Sequence, residues 1–470
     1  MAVLMDTARR FRSLADSPLR PLMTAKIALG ERCGGKGWIG AMVMRMLRML
    51  SVFLLSTLFC VGAVALESAV QSVTIHRAEL NSLGQQPSDE FGDAVAIDGD
   101  TVVVGAEGAQ VNGNPTGAAY VFVKPTSGWT GMTQTATLTP SDQAGLFGAS
   151  VAVSGNTVVV GAPWTTIDGD QQEGAVYVYV KPATGWTDMT ETAKLRSFHI
   201  DAIGEDHVGS SVSIDGNTIV VGIDNVIADG QSLGNGEVFI YVKPADGWTS
   251  TTETAVLYIQ GGTVGFASSV AISGGTVVVG ADGCCSQGQS VVGAAFVFLE
   301  PTTGWLTTSN FNAVLSGTNV GPDDNFGYSV AVDGNTIIVG SPQQDSYGVG
   351  AAYVYVEPVN GWHEMTQTAE LYPLFTSQGW FGESVAISGN VSFIGAPFTL
   401  VGGVEGRGAA YGFVKPNNGW QTTSAYAAKL TSNSGYYLGQ SVSISGATAV
   451  TGFSGTSDTN GGATVFWVSE

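Results

Sequence analysis

One thirteen-residue pattern limits what this chain can fold into, because it recurs along most of the sequence. GAVYVYVKPATGW runs from Gly174 to Trp186. Near-copies fill Gly117–Trp129, Gly236–Trp248, Gly293–Trp305, Gly350–Trp362 and Gly408–Trp420, and a shorter copy, GATVFWVSE, fills Gly462–Glu470. Self-similarity at a steady period outweighs length as a guide, so 470 residues that could hold several ordinary domains read as one array of like units. Within the pattern, alternation marks a strand and the Pro ends its ladder bonding. The Gly-Trp after it places an indole at one fixed repeat position, where plugging the space between neighbouring sheets is the expected role.

Three further strands complete each unit. The unit opens on a Phe-Gly-like step: Phe91-Gly92, Phe147-Gly148, Val208-Gly209, Phe266-Ala267, Phe326-Gly327, Phe381-Gly382 and Leu438-Gly439. These openings are 56, 61, 58, 60, 55 and 57 residues apart. A short small-residue strand follows, then a tight turn such as Asp98-Gly99 or Ser154-Gly155. Gly and Asn accept the positive φ that a two-residue hairpin needs. The second strand, as in Thr101–Ala106 and Thr157–Ala162, is β-branched and apolar throughout, the mark of a strand buried on both faces. A fourth strand of the form Thr-Ala-x-Leu comes after the Gly-Trp, as in Thr135–Leu138 and Thr192–Leu195.

Seven openings are followed by only six fourth strands, and the missing one stands at the other end, at His76–Leu80. An open array would leave bare edges; a ring that borrows its first strand to finish its last sheet removes them. The expected fold is therefore all-β: a seven-bladed β-propeller of four-stranded blades, with Val73–Leu80 completing the sheet that contains Gly462–Val468. The small-residue strand suits the crowded centre and the Thr-Ala-x-Leu strand the outer rim.

Phe-Gly at the opening, with Gly161-Ala162-Pro163 and Gly395-Ala396-Pro397 after the second strand and Gly340-Ser341-Pro342 close to them, resembles the FG-GAP repeat. Such repeats form the seven-bladed head of integrin α subunits and many bacterial surface or secreted proteins. The resemblance spans about residues 73–470. It implies an extracellular or surface module, with calcium in Asp-x-Asp-x-Asp-Gly loops between the first two strands of some blades. This chain departs from that loop in every blade, since its turns are only DGD, SGN, DGN, SGG, DGN, SGN and SGA. Calcium takes six to eight oxygen ligands, which such turns do not supply, so the family's metal sites are not carried over and no cofactor is expected. Two acidic groups remain as weak calcium candidates, Asp168 and Asp170 with Glu173, and Asp323 with Asp324.

Composition bears on the class and on the expected export. Hydrophobic residues at 44% against 12% charged exclude a disordered chain. Arg45 and Arg48 precede the apolar run Met49–Ala65, which ends on Ala63-Val64-Ala65. A basic stretch, an apolar stretch and small exit residues make a secretory signal, with cleavage expected after Ala65. A membrane anchor is the competing reading. Met42, Met44, Met46 and Met49 are all plausible starts, so residues 1–65 are set aside and 66–470 is taken as a single propeller domain. That domain keeps nine Lys+Arg against 36 Asp+Glu, a formal charge of −27. Nucleic acid and anionic membrane surfaces are poor partners for it. Cys284 and Cys285 are its only cysteines. In an oxidising compartment they form either a vicinal disulfide, which is the expectation, or two free thiols.

Nothing in the sequence proposes catalysis. The histidines are scattered, and there is no Gly-x-Ser-x-Gly, no Walker loop and no Ser-x-Asp-x-Gly-x-Thr-Trp box. The first-to-second and third-to-fourth turns scarcely vary between copies and share one face; the other loops vary and share the opposite face. Divergent loops on a regular scaffold are where binding is built. The expected binding face carries Asp168, Asp170, Asp201, Glu205, Asp206, Asp323 and Asp324. The expectation is a monomeric, exported, non-enzymatic module for an extracellular protein or cell-surface partner. A lectin holding glycans between blades is the alternative, and an enzyme ranks third.

Overall fold

The computed structural model describes residues 75–468, apart from residue 170 and the segments 198–205, 224–226, 229–230, 233–235, 261–264, 284–291, 345–347, 375–377, 433–434 and 456–458. His76–Trp467 forms one compact unit. A second unit, Met1–Ile75 with Val468–Glu470, is described only at Ile75 and Val468.

The unit is a seven-bladed propeller of antiparallel four-stranded sheets. Blade 1 runs outward through Phe91–Asp98, Thr101–Ala106, Ala118–Val123 and Ala136–Leu138. Blades 2 to 6 repeat that order, each entered after the outer strand of the one before. Blade 7 consists of Ser441–Ser445, Thr448–Phe453 and Gly462–Val468, completed by Ile75–Asn81. The closing strand is thus the one expected, and His76 stacks on Trp467 at 5.5 Å between ring centroids. The inner strands of successive blades touch in a closed cycle back to blade 1.

The second strands are wholly buried, as Thr101–Ala106 and Thr157–Ala162 show. The Gly-Trp indoles Trp129, Trp186, Trp248, Trp305, Trp362 and Trp420 are only 3–6% exposed. Each packs into the apolar cluster between its own blade and the preceding one: Trp186, for instance, lies among Val121 and Leu138 of blade 1 and Val158 and Tyr179 of blade 2.

Glycine permits the close approach of blades. A Cβ at Gly161 would lie 2.1 Å from the carbonyl oxygen of Gly209 in the next blade, and the same clash recurs around the ring. The Phe-Gly carbonyl therefore seats against the glycine of the preceding blade's second strand. Six blades add a serine hydroxyl to that carbonyl or its Ala267 counterpart, as Ser150 Oγ to Gly209 O at 2.8 Å. At the rim, the outer-strand leucine pairs in parallel with the segment after the next blade's Gly-Trp, as Leu80 with Met132 and Leu315 with Met365.

The Asp-Gly and Ser-Gly turns form a second ring of contacts. In each blade the Asp or Ser side chain accepts a hydrogen bond from the glycine N–H of the next blade's turn, at 2.5–3.2 Å. The donors and acceptors run from Gly155 to Asp98, Gly216 to Ser154, Gly274 to Asp215, Gly334 to Ser273, Gly389 to Asp333, Gly446 to Ser388 and, across the join, Gly99 to Ser445. These residues latch blade to blade.

Candidate binding face

The two faces differ in construction. One carries the latches of all seven blades and the third-to-fourth turns of blades 1 to 6, which are alike. The other carries the second-to-third loops and the crossings from each outer strand to the next inner strand, which differ in length and composition. In blade 3 that loop even forms a small ribbon, Ile227–Ala228 against Gln231–Ser232.

At the inner rim of this second face every blade makes the same turn. The residue before the Phe-Gly position is left-handed: Glu90, Leu146, His207, Asn325, Trp380 and Tyr437 have φ between 52° and 65°, and Gly265 has φ 74°. Its carbonyl accepts the N–H three residues on, at 3.0–3.3 Å in all seven blades. A left-handed non-glycine residue costs about 1–3 kcal/mol; it persists here because the Phe-Gly beyond it is fixed between blades.

A model of the FG-GAP repeat matches residues 77–122, 132–179 and 310–355. FG-GAP repeats thus recur in three places of a seven-bladed β-propeller. Each matched stretch begins within or just ahead of an outer strand and runs to the third strand of the following blade. No curated protein matched the chain.

Three positions per blade vary at the inner rim: the residue before Phe-Gly, the residue after it, and the residue after the second strand. In blade 1 all three are acidic, and one carboxylate oxygen from each of Glu90, Asp93 and Glu107 lies within 4.8 Å of the others. The register enforces this. Phe91 pairs with Ala106, so Glu90 and Glu107 stand just outside one ladder pair, and a bulge between Phe91 and Val95 brings in Asp93. Burial, with the Glu90 charge, pushes Asp93 up to about 7, partly offset by the nearby Ser454 hydroxyl. Burial, then the charges of Asp93 and Glu90, pushes Glu107 up as well. Burial thus favours the protonated form of two of the three carboxylates. The first-to-second turns, where the integrin resemblance would place calcium, spend their Asp and Ser oxygens on the latches.

In blade 6 the residue after Phe-Gly is Glu383, pushed up to about 7 by burial and restrained by the Tyr328 hydroxyl, which donates at 3.3 Å. In blade 7 it is Gln440, whose Oε1 accepts from the N–H and hydroxyl of Ser454 at 3.1 and 2.7 Å. An aromatic row runs beside them: Trp380 to Phe398 at 4.6 Å, Phe398 to Tyr437 at 5.2 Å and Tyr437 to Tyr436 at 6.3 Å between centroids. All four rings are half-buried.

The residues singled out from sequence lie at two stations of this face. Asp168, Glu173 and Asp206 belong to the junction of blades 2 and 3. Asp168 is exposed and pairs with Arg196 at 3.5 Å. Glu173 and Asp206 are buried, and the Glu173 carbonyl accepts the Val208 N–H at 2.9 Å. Asp323 and Asp324 belong to the crossing into blade 5. Asp323 is exposed, whereas Asp324 Oδ2 accepts the Gly321 N–H at 2.7 Å and shapes its own turn. Asp170, Asp201, Glu205, Cys284 and Cys285 lie outside the described residues. The inner-rim positions escaped a reading that treated Phe-Gly as scaffold. Stacking the seven openings shows the signal: Phe-Gly holds while the columns on both sides change character.

Proposed function

We propose that the chain is exported and acts as a non-enzymatic binding module, presenting the variable face to a protein or cell-surface partner. One observation carries this reading: the latched face is the same in every blade, while the opposite face changes at the inner rim and in every loop. A scaffold this regular needs no such variety for folding. The surplus of acidic residues in 66–470 favours a partner with basic surface, drawn in by long-range attraction. The Met49–Ala65 run supports export.

The experiment uses the mature protein, its Asp168→Asn/Asp323→Asn variant and a variant altered on the latched face at exposed Asp246. A panel of immobilised basic extracellular proteins is compared with acidic ones at two salt concentrations. The reading expects salt-sensitive binding to basic proteins, weakened by the first variant and not by the second. Binding equal across the panel, or lost equally in both variants, defeats it.

The aromatic row favours a second reading, a lectin, because Trp and Tyr faces stack on sugar rings. A glycan array decides for it if Trp380→Ala abolishes the hits.

A further inference from the structure

The blade-1 cluster sits on the segment that closes the ring. Residues 82–90 leave the outer strand of blade 7 at Asn81 and deliver the chain to the inner strand of blade 1 at Phe91. Several bonds tie this segment down. The Gln86 N–H donates to Asp89 Oδ2 at 2.8 Å, and Gln85 Nε2 donates to Gly461 O in blade 7 at 2.7 Å. The Gly108 N–H donates to Asp89 O at 3.2 Å. A Cβ on Gly108 would lie 2.1 Å from Ser88 O, so the loop that follows the second strand rests directly on the closing segment.

These backbone contacts set Glu107 beside Glu90. Like charges so placed repel, and burial strengthens the repulsion. Asp93 Oδ1 is buried with no hydrogen-bond partner. The groups that act on one another here come from several elements: Glu90 from the closing segment, Asp93 from the inner strand, Glu107 from the loop and Ser454, bonded to Gln440, from blade 7; Asp89 and Tyr120 act on each other close by. The ion pairs Lys124–Asp100, Lys194–Asp142 and Arg196–Asp168 lie elsewhere.

We propose that Glu90, Asp93 and Glu107 form a proton-operated clasp on the ring closure. Protonated, Asp93 and Glu107 are neutral and donate hydrogen bonds within the cluster, and the loop 107–117 stays seated on residues 82–90. Ionised, they repel Glu90 and each other, and the loop lifts from the closing segment. Burial and the neighbouring charges carry this titration from the ordinary carboxylate range toward neutrality, to about 7 for Asp93. The sign follows from the raised value. The contribution is fully present below the ordinary carboxylate range and is lost as pH rises through the folded value. The clasp is closed in acid and loosens as pH rises toward and through neutrality.

Hydrogen exchange of the mature protein tests this, read at the amides of Gly108 and Gly117, which bond to Asp89 O and Ala109 O. Exchange is measured from pH 5.5 to 8.5 and corrected for the intrinsic pH dependence. Wild type should lose about tenfold or more of its protection across the range, one displaced pKa unit being worth tenfold. Glu107→Gln and Asp93→Asn should shrink the loss to about twofold, while Asp168→Asn on the same face keeps the wild-type profile. A flat wild-type profile overturns the proposal, and needs no variant to fold. So does a Glu107→Gln profile that matches wild type.

Discussion

Asp98 of blade 1 holds the turn of blade 2: its Oδ2 accepts a hydrogen bond of 2.7 Å from the Gly155 N–H. Asp215 and Asp333 do the same for Gly274 and Gly389. A hydrogen bond to a charged acceptor contributes about 1.5–3 kcal/mol when sheltered and less at an exposed turn, so about 1 kcal/mol each is expected here. The triple variant Asp98→Ala/Asp215→Ala/Asp333→Ala should lose about 2–3 kcal/mol in urea unfolding, the sites being distant enough to add. The matching Asn variant keeps an acceptor and should lose much less. Equal losses in both would show that charge, not latching, is what the turn supplies.

Calcium should matter little to stability. The turn carboxylates that the integrin resemblance would offer to calcium are engaged as latches, and the turns hold too few other oxygens. A structural site saturated at a hundred times its Kd would add about 2.7 kcal/mol. Melting after chelation, with and without millimolar calcium, should show no gain of that size. A rise of several degrees would restore a metal site to the fold.

Close approach of blades makes some glycines indispensable and others not. Gly161→Ala would set a methyl 2.1 Å from Gly209 O and 2.3 Å from Ser150 Oγ. Two blades must part to admit it, so a loss of several kcal/mol or failure to fold is expected. Gly128, at φ 92° with nothing within 4 Å of a Cβ, should lose only about 1–2 kcal/mol as Ala, from backbone conformation alone. Similar losses at the two positions would mean that the blade contact is not what selects glycine at 161.

These contrasts mark how far the sequence is legible. Strand order, blade number and closure follow from the repeat, because each copy must bury one sheet against the next and only a ring leaves no edge. The latch role of Asp98 and Ser154 was hidden, because a turn-forming Asp or Ser reads the same whether its side chain serves its own turn or a neighbour's. The acidic rim was hidden for another reason. Glu90, Asp93 and Glu107 are scattered over eighteen positions of sequence and meet only through the Phe91–Ala106 register and its bulge. Asp168 and Asp323, picked for their acidic neighbours, face solvent at separate stations.

Glu383 gives a pH dependence separate from that of blade 1. Burial carries it up to about 7, partly countered by the Tyr328 hydroxyl. Its contribution to stability is present below the ordinary carboxylate range and is lost as pH rises through about 7. Glu383→Gln should therefore leave unfolding at pH 5 nearly unchanged and raise the urea midpoint at pH 8.5. A variant less stable than wild type at both pH values would mean that the carboxylate is needed ionised.

Closure of the ring can be removed outright. Residues 76–80 supply the outer strand of blade 7, the stack of His76 on Trp467 and the Leu80–Met132 pair that joins blade 7 to blade 1. Leu80 is fully buried in the cluster that also holds Trp129 and Val465. Deleting residues 66–80 leaves Gly462–Val468 as an unpaired edge, open to pairing with another chain. The deleted protein should melt well below wild type and form concentration-dependent oligomers by light scattering. A peptide of residues 73–82 added in excess should restore a monomer, because it refills the strand. A deletion that stays monomeric with unchanged melting would show that the seven blades hold together without the strand taken from the other end of the chain.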